Sequence, residues 1–254
     1  MHSPVPSETL TSTALGLDLL VRALRTIGEL SVDEEEAIRA LPGRVRRLEA
    51  YEDIVSEGDR PNAISVLISG FACRYKVLED GRRQIVSFHN AGDVPDAQSL
   101  HIGKMDHNLG TLDDTTVLHI AHEAMFDLFR RMPATAALFW RWTLIEASIF
   151  REWVLNVGRR DAYQRMAHLL CEVMTRMKAM GLVEGQTCQL PITQAELGDA
   201  TGLSTVHVNR TLQALRADKL IQLKIGSLTI LNWEGLKKAG GFDPGYLHLR
   251  QEVA

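Results

Sequence analysis

Residues 193–231 constrain the fold more than any other stretch of this chain. Thr193-Gln194-Ala195-Glu196 is a capping box, in which a hydroxyl at the helix start and a carboxylate three residues on each accept a backbone N–H that the first turn leaves unpaired. The apolar spacing predicts a helix over 194–201 that stops at Gly202, and a second that starts behind Ser204 and continues through Leu215 to Lys219. Ala195, Leu197, Ala200, Leu203, Val208, Leu212 and Leu215 are the side chains expected to lock the two helices together, with Gly198 small where they approach. Two short helices joined by a tight turn containing Gly form a helix-turn-helix. Residues 220–231 alternate around Gly226-Ser227, which predicts a β-hairpin of the size of a wing. An ordinary solvated helix face would explain the polar residues of the second helix, but not the cap, the Gly turn and the hairpin around it.

The second helix offers Thr205, His207, Asn209, Arg210 and Gln213 in its N-terminal half. A helix that enters the major groove by its N-terminus brings such side chains to base edges, and its dipole favours a nearby phosphate. Arg pairs bidentately with guanine, and Asn or Gln with adenine. Arg216 and Lys219 are better placed for the backbone, which positions without specifying, and Lys224 and Ser227 near the hairpin tip can reach phosphate. The candidate DNA contacts are thus Thr193, Ser204, Thr205, Val206, His207, Asn209, Arg210, Gln213, Arg216, Lys219 and Lys224. Charge agrees in sign: residues 1–158 hold 16 Lys and Arg against 23 Asp and Glu, whereas residues 159–254 hold 12 against 9. A mildly basic C-terminal third on an acidic body fits a local nucleic-acid footprint and argues against blanket affinity.

Upstream, residues 1–16 are rich in Ser, Thr and Pro and read as a flexible tail. Leu17, Leu20, Val21 and Leu24 predict a short helix, and Ser31 or Asp33 caps a second that has Glu34, Glu35 and Glu36 in its first turn. From about 44 to 120 the pattern turns to strands, with apolar runs at 64–68, 71–78, 85–88 and 117–120 broken by Gly-containing turns such as Asp80-Gly81. After Pro133 a helix without Gly or Pro runs to about Val157. One of its stripes is Leu138, Trp142, Ile145 and Ile149; another is Trp140, Ala147, Phe150, Val154 and Val157. So wide an apolar surface must be covered on two sides, one of which is expected to be a second copy of the chain. Gly158-Arg159-Arg160-Asp161 reads as a hinge, with Asp161 capping the next helix.

Hydrophobic residues make up 45% of the chain, enough for a real core. No apolar run is long enough for a membrane helix and no basic start precedes an apolar block, so no membrane partner is expected and a cytoplasmic location is. Cys73, Cys171 and Cys188 are too few and too scattered for a disulfide framework and are expected to be single reduced thiols. The chain lacks a P-loop, GxSxG and HExxH, so no catalytic residue is assigned and no enzyme is expected. No cofactor or metal site is assigned either, since His101/His107 and His119/His122 lack a matching Cys or carboxylate pattern.

In this order the elements resemble the Crp–Fnr family over residues 44–231. The segment LPITQAELGDATGLSTVHVNRTLQALRADKLI (190–221) is similar to that family's DNA-binding motif, and DIVSEGDRPNAISVLISGFACRYKVLEDGRRQIVSFHNAGD (53–93) to its cyclic-nucleotide-binding β-roll. The resemblance implies an α+β fold: an N-terminal β-roll, jelly-roll-like, with flanking helices over 17–132, a dimerisation helix over 133–158, a winged helix-turn-helix over 159–233 and a C-terminal extension over 234–254. It implies a homodimer on an inverted-repeat DNA site, with RNA polymerase as a partner. The base-reading positions of the family fall on Thr205, Val206 and Arg210; Val206 stands where the family usually has Glu, so the operator is expected to differ, with His207 and Asn209 contributing to the altered reading. The effector pocket maps to Asp96, Ala97, Gln98, His107 and Asn108. There the family's nucleotide binders carry Gly-Glu and an Arg, but residues 84–129 contain no Arg and a single Lys, Lys104, while Asp93, Asp96 and Asp106 surround the anion position. Cyclic AMP is therefore not expected to bind, and the effector is left unknown. Iron–sulfur sensing needs several Cys ligands, and only Cys73 lies in the roll. The possible haem ligands, Cys73 and five scattered His residues, form no pattern. The alternative reading is a ligand-responsive regulator that acts mainly through a protein partner.

Overall fold

The computed structural model describes residues 7–250, with side chains from residue 11 onward. They divide into two compact units, one of residues up to 74 with 89–144, the other of 75–88 with residues from 145 onward.

The first unit opens with α1 (Ser7–Ile27). The expected tail is therefore corrected: residues 7–16 belong to this helix, and residues 1–6 lie outside the described residues. Ser and Thr suggested a loop, but an amphipathic helix needs only one apolar face. Here Leu17, Leu20, Val21, Leu24 and Ile27 make that face and are buried. Gly16 lets the helix lie close on the sheet, because a Cβ there would come within 3.0 Å of Leu118. In α2 (Val32–Arg39) the cap is Ser31, in a full capping box with Glu34; Asp33 sits in the first turn. The other Glu34 oxygen accepts from Thr135 Oγ1 at 3.0 Å. Hydrogen bonding, led by the Ser31 N–H, holds this carboxyl below its ordinary range.

The strands β1 (Arg44–Leu48), β2 (Asp53–Val55), β3 (Ala63–Ser69), β4 (Ala72–Val77), β5 (Arg83–His89), β6 (Asn108–Thr111) and β7 (Thr115–Ala121) form two sheets, ordered β1-β7-β3 and β2-β6-β4-β5. Buried Leu48, Ile54, Val55, Leu67, Leu109 and Val117 come from both sheets and share one core. This is the jelly-roll-like roll that the resemblance implied, built from strands that the apolar runs and Gly turns indicated. At Asp80-Gly81 the chain reverses with Gly81 at φ 81° and Leu78 N–H bonded to Arg82 O at 2.9 Å. A short 3-10 helix, Ala97–Leu100, follows β5. The unit closes with α3 (His122–Arg131) and the first turns of α4 (Pro133–Arg159).

The second unit holds the rest of α4, then α5 (Ala162–Ala179), capped by Asp161 through Gln164 N–H at 2.9 Å as expected. The hairpin β8 (Val183–Glu184) and β9 (Thr187–Gln189) joins β10 (Ile221–Lys224) and β11 (Ser227–Ile230) in a sheet ordered β10-β11-β9-β8. Between them lie α6 (Gln194–Thr201) and α7 (Thr205–Ala217), and α8 (Trp233–Gly240) follows. The capping box of Thr193 and Glu196 is present, and Gly202 ends α6 at φ 67°. The second helix is shorter than expected: Lys219 is not helical but left-handed at φ 55°, and Leu220 N–H turns back to Leu215 O at 3.0 Å. Ala195 is exposed and not part of the lock; Leu197, Ala200, Val208, Leu212 and Leu215 are buried. The hairpin tip of residues 75–88 belongs to this unit because Arg83 Nε donates to Asp199 Oδ2 at 2.8 Å, Arg176 Nη1 to Phe88 O at 2.9 Å, and Phe88 meets Trp153 edge-on at 5.8 Å.

A Cβ on Gly198 would lie 2.6 Å from Leu203 O, a backbone atom that cannot step aside. Gly198→Ala is expected to force α6 and the turn apart and to cost about 1–3 kcal/mol of stability, read as a lowered thermal midpoint by circular dichroism; an unchanged midpoint would contradict this packing.

Candidate nucleic-acid interface

Helix α7 presents two faces. Val208, Thr211, Leu212 and Leu215 are buried against α5 and α6, while Thr205, Val206, His207, Arg210 and Gln213 point to solvent. Val206, an apolar side chain, is 71% exposed at the helix start. Ser204 caps the helix by accepting from His207 N–H at 3.3 Å, and Thr193 Oγ1 accepts from Glu196 N–H at 3.3 Å. Each hydroxyl keeps a hydrogen to donate outward, as a phosphate contact at a helix start requires.

The remaining candidates fall in different places. Asn209 is half-buried and donates to Gln194 Oε1 of α6 at 3.1 Å, so part of its amide holds the two helices together. Arg216 is half-buried with its Nε enclosed and unbonded. Lys219 stands in the left-handed turn behind α7, and Lys224 is exposed beside the wing tip, paired across the hairpin with Ser227. At that tip Ile225 is fully exposed. Sequence reasoning passed over this side chain, although its place before Gly226 in a two-residue turn marks it.

Two sets of contacts hold this module. Arg165 of α5 donates to Asn156 O at 3.1 Å, Val157 O at 2.8 Å and Arg160 O at 2.9 Å, the carbonyls that the end of α4 leaves open, and also to Thr201 O at the end of α6. Beside it, Glu172 is buried and accepts from Trp153 Nε1 at 2.9 Å and from Tyr246 Oη at 2.6 Å. His168 Nε2 lies 3.1 Å from that Tyr246 oxygen and 3.6 Å from Glu152, which Arg160 also binds at 2.6 Å. Burial pushes His168 down to about 4 and raises Glu172 above its ordinary value. The segment after α8, unassigned from sequence, is thus tied into the joint between α4 and α5.

Residues 45–132 match the model of a cyclic nucleotide-binding domain, and residues 164–239 that of a Crp-like helix-turn-helix domain. The chain belongs to the Crp–Fnr family of transcription regulators. It is 27% identical over 185 residues to the transcriptional activator protein FnrL of Cereibacter sphaeroides, covering 70% of this chain and 73% of that one. It is 24% identical to the fumarate and nitrate reduction regulatory protein of Vibrio cholerae, covering 85% of each. Among solved structures it is similar to FixK2 from Bradyrhizobium japonicum, with TM-score 0.72 and 25% identity over 80% of this chain and 100% of that one.

At the roll positions where the family's nucleotide site was expected, this member uses its polar groups internally. Asn108 Oδ1 accepts from Glu57 N–H at 2.8 Å, and Gln98 Nε2 lies 3.4 Å from His107 Nε2. His107 Nδ1 lies 2.6 Å from Asp106. Ala97 is buried in the 3-10 helix. Asp96 is fully buried; one oxygen accepts from Ser65 N–H at 2.7 Å and the other has no partner. His119 and His122 bond separately to Ser65 and Ser99. Among the described residues no group of His, Cys, Asp or Glu could hold a metal ion, and no helix is long and apolar enough to cross a membrane. The three cysteines are buried and form no disulfide, with burial pushing Cys171 up to about 12 and Cys188 up to about 11.

Burial raises Asp96 to about 6 from 3.8, against the pull of the Ser65 hydrogen bonds and the charge of Arg74. The fold therefore favours the acid form: the stability it brings is complete below the unfolded value and is lost as pH rises through the folded one. Asp96→Asn, neutral throughout, is expected to lack that loss, so the unfolding free energy of the variant relative to wild type should rise by about 2 kcal/mol from pH 4 to pH 7. Parallel denaturant curves across this range would contradict it.

Proposed function

We propose that this Crp–Fnr regulator reads a specific inverted repeat in double-stranded DNA as a homodimer, that it acts by binding and not by catalysis, and that its roll does not take cyclic AMP. The observation that carries the reading is the two-faced α7, packed by Val208, Leu212 and Leu215 and exposing Val206, Arg210 and Gln213 one turn apart. Arg210 then pairs with guanine, Val206 meets a thymine methyl, and Gln213 and His207 extend the reading. Thr205 is a further base contact. Ser204, Thr193, Arg216, Lys219 and Lys224 serve the phosphates, and Asn209 contributes through what its tie to Gln194 leaves free.

Pairing through α4 is supported by a stripe at heptad spacing, Ala137, Trp140, Leu144, Ala147, Arg151 and Val154, in which Trp140 is 70%, Leu144 54% and Val154 74% exposed. The opposite stripe agrees, since Ile145 and Ile149 are buried within the chain. Twofold pairing puts two recognition helices on half-sites about 34 Å apart. A regulator so bound acts in the cytoplasm and meets RNA polymerase at promoters. Against cyclic AMP stand the buried carboxylate of Asp96 and the nearby Asp93, where a phosphate needs Arg or a helix N-terminus.

Anisotropy titrations of a selected duplex should show affinity falling steeply with salt, with a log–log slope near −0.9 for each phosphate neutralised. Arg210→Ala should lose about 1–3 kcal/mol on that duplex and little on random DNA. Equal losses on both would overturn the base-reading role. Calorimetry with cyclic AMP is expected to give no heat of binding at micromolar concentrations; a saturable micromolar isotherm would refute that part.

A further inference from the structure

Within the first unit a cavity of about 480 Å³ opens between the turn after the 3-10 helix, α3 and the first turns of α4. Such volumes suit a small organic ligand. Phe126, Phe129, Phe139 and Trp140 supply its walls. Phe129 and Phe139 meet at 5.2 Å with their planes tilted 58°, and the ring of His101 stands edge-on to Phe126 at 5.7 Å. The rings therefore brace one another while their remaining faces line the space. His101 and Arg130 are the basic groups on the lining, and no carboxylate belongs to it. Arg130 is paired with Asp127 on the outer surface of α3, an exposed pair that holds weakly and leaves most of the guanidinium donors for a second acceptor.

Of the residues expected to form an effector pocket, only Ala97 reaches this cavity. The contrast in charge is the deciding point. The roll positions carry Asp93, Asp96 and Asp106, whereas this cavity pairs aromatic walls with two basic groups. Aromatic walls select a flat apolar body, and an Arg fork selects a carboxylate. We propose that this cavity is a binding site for a planar aromatic monocarboxylate, its rings among Phe126, Phe129, Phe139 and Trp140 and its carboxylate at Arg130 and His101. The binding stands on the cavity alone; its regulatory meaning rests on the dimer reading above, because Trp140 belongs both to the cavity wall and to the exposed stripe of α4.

The test is calorimetry of the full chain with 1-naphthoate and with its neutral counterpart 1-naphthylmethanol, repeated on Arg130→Gln and Trp140→Ala. Arg130 is exposed, so Arg130→Gln should keep the wild-type circular dichroism; Trp140 also lies in the proposed pairing stripe of α4, so Trp140→Ala is followed by sedimentation as well as by circular dichroism. Wild type should bind one naphthoate per chain at least tenfold more tightly than the alcohol, Arg130→Gln should erase that preference, and Trp140→Ala should weaken both ligands about tenfold. No saturable binding up to millimolar naphthoate, or a preference that survives Arg130→Gln, overturns the proposal. So does the remaining outcome, in which Trp140→Ala abolishes self-association by sedimentation while naphthoate has no effect, since a second copy then fills the cavity. Duplex binding measured on the same preparation separates the two readings: a chain that grips its operator but ignores naphthoate sinks only this site, and one that binds naphthoate but no duplex sinks only the regulator.

Discussion

The guanidinium of Arg165 sets the position of the DNA-reading module. A helix end leaves its last carbonyls without partners. At the end of α4 a single side chain from the next helix takes those of Asn156, Val157 and Arg160, and it also reaches Thr201 at the end of α6. One planar, permanently charged group thus joins the long helix to the first helix of the helix-turn-helix. Where α7 points relative to the end of α4 follows from this joint and from the close approach of α6 to its turn at Gly198.

Around that joint lies a polar network without the usual reward of buried charge. Glu172, His168, Tyr246 and Trp153 are joined by short hydrogen bonds, and burial keeps His168 neutral across physiological pH. Such a network adds modestly to stability, but leaving any member unpaired is costly, so it favours one arrangement of α4, α5 and the chain end over neighbouring ones.

The DNA-reading module was largely legible in the sequence because its rules are local. Capping at Thr193 and Ser204, the left-handed Gly202 and the two-residue turn at Gly226 are each fixed by residues within a few positions of one another. What escaped needed partners far along the chain. Strand β1 reads Arg-Val-Arg-Arg-Leu and is held as a strand by its pairing with β7, not by apolar alternation. The β8–β9 hairpin left only Gly185 as a signal and is completed by β11. The start of α1 was hidden by hydroxyl residues that its exposed face tolerates. Tyr246 lies 78 residues from His168 and 74 from Glu172, beyond any local pattern. The expected effector positions rested on resemblance, and their internal bonding, such as Asn108 to Glu57, required the fold.

The reading head is specified locally, whereas at the roll positions expected to hold an effector Asn108, Gln98 and His107 bond within the chain. The role proposed for α7 is to read base edges in a duplex, twice, across a twofold axis. Selection of genomic fragments on the purified full chain, followed by sequencing of what is retained, tests that claim most directly. The retained fragments should share an inverted repeat whose half-site centres lie about one helical turn, roughly 10 base pairs, apart. Retention of fragments with no shared sequence, in proportion to their abundance in the input, would contradict it.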